Sequence, residues 1–145
     1  MTPARRLPFA VVCLVWAGIV IGISFIEAPV KFHTPTLTRV VAFDVGRTVF
    51  RASQWVQVAL GVLTLAAAAW ARVPRRAWLA LAVVALTLLV QMAWIFPVLD
   101  ARAEVVIAGG VPSGSSPHTL YGVLEILKLV ALGATAVVAL RTPAD

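Results

Sequence analysis

The chain has 145 residues, 61% of them hydrophobic and 12% charged, with a mean hydropathy of +0.99 and a formal net charge of +6. This is not the composition of a soluble globular domain. The single cysteine, Cys13, excludes an internal disulfide, and in its apolar surroundings it reads as a small packing residue.

Four apolar stretches, 7–26, 49–70, 77–96 and 120–140, are each long enough to cross a hydrocarbon core of ~30 Å at ~1.5 Å per residue. They are apolar nearly all round, unlike the one-sided helices of soluble bundles. The first follows Arg5 and Arg6, as a signal peptide would. Its run of about 20 residues exceeds the roughly 7–15 of a cleaved signal core, and Ser24-Phe25-Ile26-Glu27-Ala28-Pro29 offers no small-x-small site. An uncleaved anchor is expected, starting near Pro8 and stopping before Pro29. Gly18 and Gly22 form a small-xxx-small pair that permits close approach by a neighbour.

Residues 31–36 then form a turn, with Thr34 or Thr36 capping the second helix and Pro35 near its first turn. The periodic pattern carries this helix over 37–70, and its first third bears Asp44, Arg47, Arg51 and Gln54 on one stripe. Pro74 breaks the chain at the next turn. The third helix runs past Pro97, Asp100 and Glu104 to a stop at Gly109-Gly110. Residues 111–116 are the clearest loop, and Ser116-Pro117 is an N-cap and first-turn pair for the fourth helix. The expected product is a single domain over 1–145, all-α: a membrane-embedded antiparallel four-helix bundle whose second and third helices project beyond the bilayer.

The charges are segregated. Glu27, Asp44, Asp100, Glu104 and Glu125 fall toward one end of the stretches, with Asp145 at the C-terminus, whereas Arg5, Arg6, Arg72, Arg75, Arg76 and Arg141 mark the other end. The acidic end also carries Lys31, Arg39, Arg47, Arg51, Arg102 and Lys128, but Arg47, Arg51 and Lys128 lie within helices near acids rather than in loops. Discounting those three, positive charge in short loops predicts a multi-pass protein of the bacterial inner membrane, N-in and C-in. Trp70 and Trp78 flank the cytoplasmic turn, where an aromatic belt is expected. The net charge then reads as topology and contact with anionic lipid in the bilayer, not as a nucleic-acid footprint.

Helix four holds the sharpest signal: His118, Tyr121, Glu125 and Lys128 share one stripe. From Ser116, Glu125 lies ~13 Å and Lys128 ~18 Å along the axis, and a charge at mid-membrane costs ~2.5–3.5 kcal/mol or more against lipid. Both are expected to face the bundle interior. Similar counting places Gln54, Gln57 and Gln91 near the level of Glu125, below an outer layer of Glu27, Asp44, Arg47, Arg51 and His118. The expected ligand-binding set, lining an outward-opening polar cavity, is Glu27, Arg47, Arg51, Gln54, Gln91, His118, Tyr121, Glu125 and Lys128. A plainer reading pairs the charges for helix register alone, Glu125 with Lys128, Glu27 with Arg51 and Asp44 with Arg47.

Specific chemistries find less support. His33 and His118, with Glu27 or Glu125, lack HxxxH or CxxC spacing, so no metal site is expected. A haem would need an axial ligand facing the bundle interior, for which His118 is the better placed of the two histidines. Ser24 and Ser53 sit in no nucleophile elbow, and no glycine-rich phosphate loop is present. Whether the protein is an enzyme, and what cofactor it uses, stay open.

Three segments resemble elements of a group of small four-span bacterial integral membrane proteins of unknown function. Phe25-Ile26-Glu27-Ala28-Pro29-Val30-Lys31-Phe32 is similar to that group's aromatic–x–x–Ala-Pro-x-x-Phe element. Gly46-Arg47-Thr48-Val49-Phe50 resembles its polar-then-aromatic start of helix two, and His118-Thr119-Leu120 its His-x-Leu start of helix four. The resemblance implies an inner-membrane four-helix bundle and carries over no catalytic residue.

The leading functional expectation is binding of a small ligand or lipid-soluble cofactor, such as a quinone. Glu125 is its proton-exchanging group, Lys128 the charge partner, and Arg51 and Gln91 orienting donors. The alternative is a non-enzymatic accessory or stabilising subunit of a membrane complex, with a membrane-protein partner. A transporter comes third, since a single copy shows no internal repeat.

Overall fold

A computed structural model describes residues 3–141, so Asp145 lies outside the described residues. The described residues are all-helical, without strands. They form four helices, each long and apolar enough to cross a membrane: α1 (Ala4–His33), α2 (Arg39–Ala71), α3 (Arg75–Ile107) and α4 (His118–Arg141). In the most apolar 18-residue window of α1, α2 and α3 only 28% is buried inside the bundle, and in α4 39%. Most of the apolar surface therefore points outward, as a lipid environment requires and water forbids.

The helices are arranged in a ring. The first part of α1, Pro3–Val20, packs on α4 and α2; Arg75–Val90 of α3 packs on α4; and Phe96–Ile107 packs on α2. At 33 residues each, α2 and α3 are ~50 Å long and outrun a ~30 Å core, as the sequence predicts.

Helix ends follow local chemistry. Thr38, not Thr34 or Thr36, caps α2: its hydroxyl accepts from the Val41 amide at 3.3 Å. The Ser116 hydroxyl accepts from the His118 amide at 3.3 Å, the expected cap of α4. At the end of α3 the Gly110 amide donates to the Val105 carbonyl at 2.8 Å and Gly109 takes φ +83°, a stop that glycine allows at no steric cost.

Two expectations for α1 are corrected. It is helical from Pro3, with Pro8 inside its first turns, and it passes through Pro29 to end at His33. The passage is made by a π-helical segment, Ile21–Glu27, directly before the proline. The Ala28 amide reaches back five residues to the Ile23 carbonyl, widening the turn where an α-helix would meet the proline ring and its missing N–H. The same device recurs in α3: Gln91–Ile95 is π-helical, Phe96 donates to the Gln91 carbonyl, and Pro97 follows. Gly18 and Gly22 admit no neighbour within the chain, because a Cβ added at either meets nothing within 4 Å.

The core divides along the bundle. The arginine-bearing half is apolar, built on Phe9, Cys13, Trp16, Leu81, Val84 and Leu132. Its buried threonines satisfy themselves on carbonyls of their own helices: Thr64 on Leu60 at 2.7 Å, Thr135 on Ala131 at 2.7 Å and Thr87 on Val84 at 2.8 Å. At its rim Arg5 donates to the Trp70 carbonyl at 2.8 Å and lies over that indole. Toward the other end the core turns polar.

Candidate functional site

Glu125 and Lys128 are both fully buried on one face of α4 and joined by a 2.9 Å ion pair. Four helices build their surroundings. Gln91, inside the π segment of α3, donates to Glu125 Oε1 at 2.7 Å. Ser24, inside the π segment of α1, donates to Glu125 Oε2 at 3.4 Å. From α2, Gln57 Oε1 accepts from Lys128 at 2.6 Å and from the Trp16 indole at 3.3 Å, while Gln54 donates to the Tyr121 hydroxyl at 3.3 Å. An isolated charge here would be prohibitive, and the two opposite charges with their hydrogen bonds offset each other.

Nearer the acidic end a second layer surrounds a pocket of about 100 Å³. All four helices line it: Lys31 and Phe32 from α1, Phe43, Gly46, Arg47 and Phe50 from α2, Phe96 and Asp100 from α3, and His118 from α4. Lys31 is 7% exposed, holds Glu27 at 3.2 Å, and lies with its ammonium over the Phe50 and Phe32 rings. It fits because residue 46 is glycine: a Cβ there would stand 2.6 Å from the ammonium nitrogen. Arg47 and Arg51 converge on Asp100, at 2.9 and 2.7 Å, and Arg47 also reaches Glu104 at 3.3 Å. Phe50 joins the layers, packing edge-on against Tyr121 with ring centroids 5.6 Å apart.

An apolar cavity of ~150 Å³ holds one benzene, while drug-sized ligands need ~300–1,000 Å³. At about 100 Å³ this pocket is smaller than either, so it would enclose only part of a single-ring head group. The Asp100 carboxylate fastens the projecting parts of α2 and α3 together. Asp100→Asn should lower the melting temperature in detergent by a few degrees. Glu104→Gln, on a side chain 69% exposed, should leave it nearly unchanged.

The nine residues expected to line one cavity are thus divided. Gln54, Gln91, Tyr121, Glu125 and Lys128 meet in a closed inner network at the level expected for them. Arg47 and His118 line the pocket, Glu27 sits at its rim on Lys31, and Arg51 lies outside it, 51% exposed, on Asp100. The Glu125–Lys128 pairing is as predicted. The other two expected pairings are replaced: Glu27 takes Lys31, one helical turn away on its own helix, and Arg47 takes Asp100 and Glu104 across from α3. Trp16 and Ser24 escape sequence reasoning as network members, because each is one polar atom in an apolar run. Lys31 reads as a loop cation only if α1 stops at Pro29. The Phe43, Gly46 and Phe50 stripe on α2 is the signal that marks the pocket wall.

A family model described as a domain of unknown function, DUF4149, matches residues 11–104. The chain belongs to the DUF4149 family. The DUF4149 match takes in Ser24, Lys31, Gly46, Gln54, Gln57, Gln91 and Asp100, and it ends before α4, which brings Glu125 and Lys128. No curated protein and no solved structure matches the chain.

Proposed function

We propose that this DUF4149 protein is a single-domain, multi-pass protein of the bacterial inner membrane, N-in and C-in. Its pocket, in the outer half of the bilayer, receives the head of a small lipid-soluble molecule such as a quinone. The observation that supports this reading is the pocket's make-up. Four phenylalanine rings supply a stacking surface, and Lys31, Arg47, Asp100 and His118 are polar residues among its lining, as ligand sites combine the two. Glu125 serves as the proton-exchanging group beneath, positioned by Gln91 and charge-balanced by Lys128. Arg51 acts at one remove, through Asp100.

Filling the pocket tests the reading. Ala103 lines it, and Ala103→Met should leave folded yield in detergent unchanged while removing a copurifying small molecule detected by mass spectrometry and visible absorption. A parent protein that carries no such molecule, and whose melting is unmoved by added ubiquinone, ends the proposal.

A second reading, an accessory subunit of a membrane complex, draws on the complete enclosure of the Glu125–Lys128 pair. Such a pair fixes helix register without any ligand. Collapse of yield in Glu125→Gln with Lys128→Met, with nothing bound to the parent, favours it. For orientation, Ser113 is exposed in the loop at the acidic end and Cys13 is fully buried, so a cysteine placed at Ser113 is the one reactive thiol. An impermeant maleimide should label it in intact cells; labelling only after lysis reverses the topology.

A further inference from the structure

We propose that the inner network encloses one or two ordered water molecules, held between the side chains of Gln54, Gln57 and Gln91. These are the chain's three glutamines, it has no asparagine, and all three are 2% exposed or less. Each has one amide atom without a hydrogen-bond partner among the described residues: Gln54 Oε1, Gln57 Nε2 and Gln91 Oε1.

Turning the amides over does not remove the deficit. Gln57 Oε1 accepts from the Lys128 ammonium and the Trp16 indole, both of which only donate, so its NH2 group is compelled to face elsewhere. Gln91 presents its NH2 group to the Glu125 carboxylate, which only accepts, so its oxygen is left over. Gln54 meets the Tyr121 hydroxyl, which takes either role, and a flip there exchanges an orphan oxygen for an orphan NH2.

A guest that satisfies all three has to donate to Gln91 Oε1, accept from the Gln57 N–H and meet Gln54 in one role or the other. A bare cation satisfies only the oxygens and an anion only the amide. Either adds an uncompensated charge beside a Glu125–Lys128 pair that is already neutral overall. An apolar group satisfies none of them. Water donates twice and accepts twice, and buried water characteristically binds polar groups that the protein leaves unmatched. The two π segments, a feature frequent at functional sites, border the same place through Ser24 and Gln91. This inference is independent of whether the pocket above takes a ligand.

The test uses the intact protein in liposomes of phosphatidylethanolamine and phosphatidylglycerol, with 15N in glutamine side chains and backbone amides. The three side-chain signals all come from this network. In water-edited solid-state NMR at short mixing times they should build up several-fold faster than the backbone amides of Val84 and Leu132 in the apolar core. Their rate should approach that of amides in loop 108–117. Glutamine signals as silent as Val84 and Leu132 overturn the proposal. In Gln91→Leu, which removes one acceptor, transfer to Gln57 should fall toward the core level; unchanged transfer places the water elsewhere and also overturns it.

Discussion

Lys128→Met should destabilise the protein by about 3–5 kcal/mol, the loss expected when one partner of a buried ion pair is removed and the other stays charged. The side chain lost is fully buried, and it leaves Glu125 with neutral neighbours alone, Gln91, Ser24 and Tyr121. The double variant Glu125→Gln, Lys128→Met removes both charges and should lose far less than the sum of the single changes, because no uncompensated charge remains. Reversible unfolding in bicelles, followed for all four members of the cycle, measures the coupling. Additive losses mean that the two groups do not act as a pair.

Trp16→Ala should cost a similar amount, about 3–5 kcal/mol, for a different reason. The indole is 2% exposed and fills the boundary between the apolar and polar halves, lying so close to α2 that a Cβ on Gly61 would stand 3.3 Å from it. Truncation leaves a void and takes one of two donors from Gln57 Oε1. Trp16→Phe separates these effects, since it keeps most of the volume and loses only the N–H. Its expected loss is about 1–2 kcal/mol, read in the same unfolding assay. Equal losses in the two variants would place the energy in the hydrogen bond rather than the packing.

The fold was legible because apolar runs of membrane-crossing length admit few alternatives, and the Ser116 and Gly109 end signals act locally. The level of Glu125, Lys128 and the glutamines was legible too, since rise per residue converts sequence position into depth. What failed was rotation about the helix axis. Sequence spacing assumes 3.6 residues per turn, and the two π segments add to that count midway along α1 and α3. A stop at Pro29 puts Glu27 at a helix end and Lys31 in a loop, whereas the widened turn carries the helix through that proline and makes them successive turns of one helix. Asp100 was read as part of a projecting end, although it is the acceptor on which both Arg47 and Arg51 settle. Ion-pair choice among several nearby acids depends on facing, which no count along a single helix supplies.

Those two widened turns have a genetic corollary. Each holds one residue more than regular winding needs, and the widened turn absorbs it locally. Losing one residue from 21–27 would return that stretch to regular winding, in which four residues sweep about the angle that five cover in the wide turn. The lysine would then keep its notch over Gly46, and Phe9, Cys13 and Trp16 their seats. A single-residue deletion, ordinarily ruinous inside a helix that crosses a bilayer, is thus absorbed at these two places without re-aiming either end of the bundle.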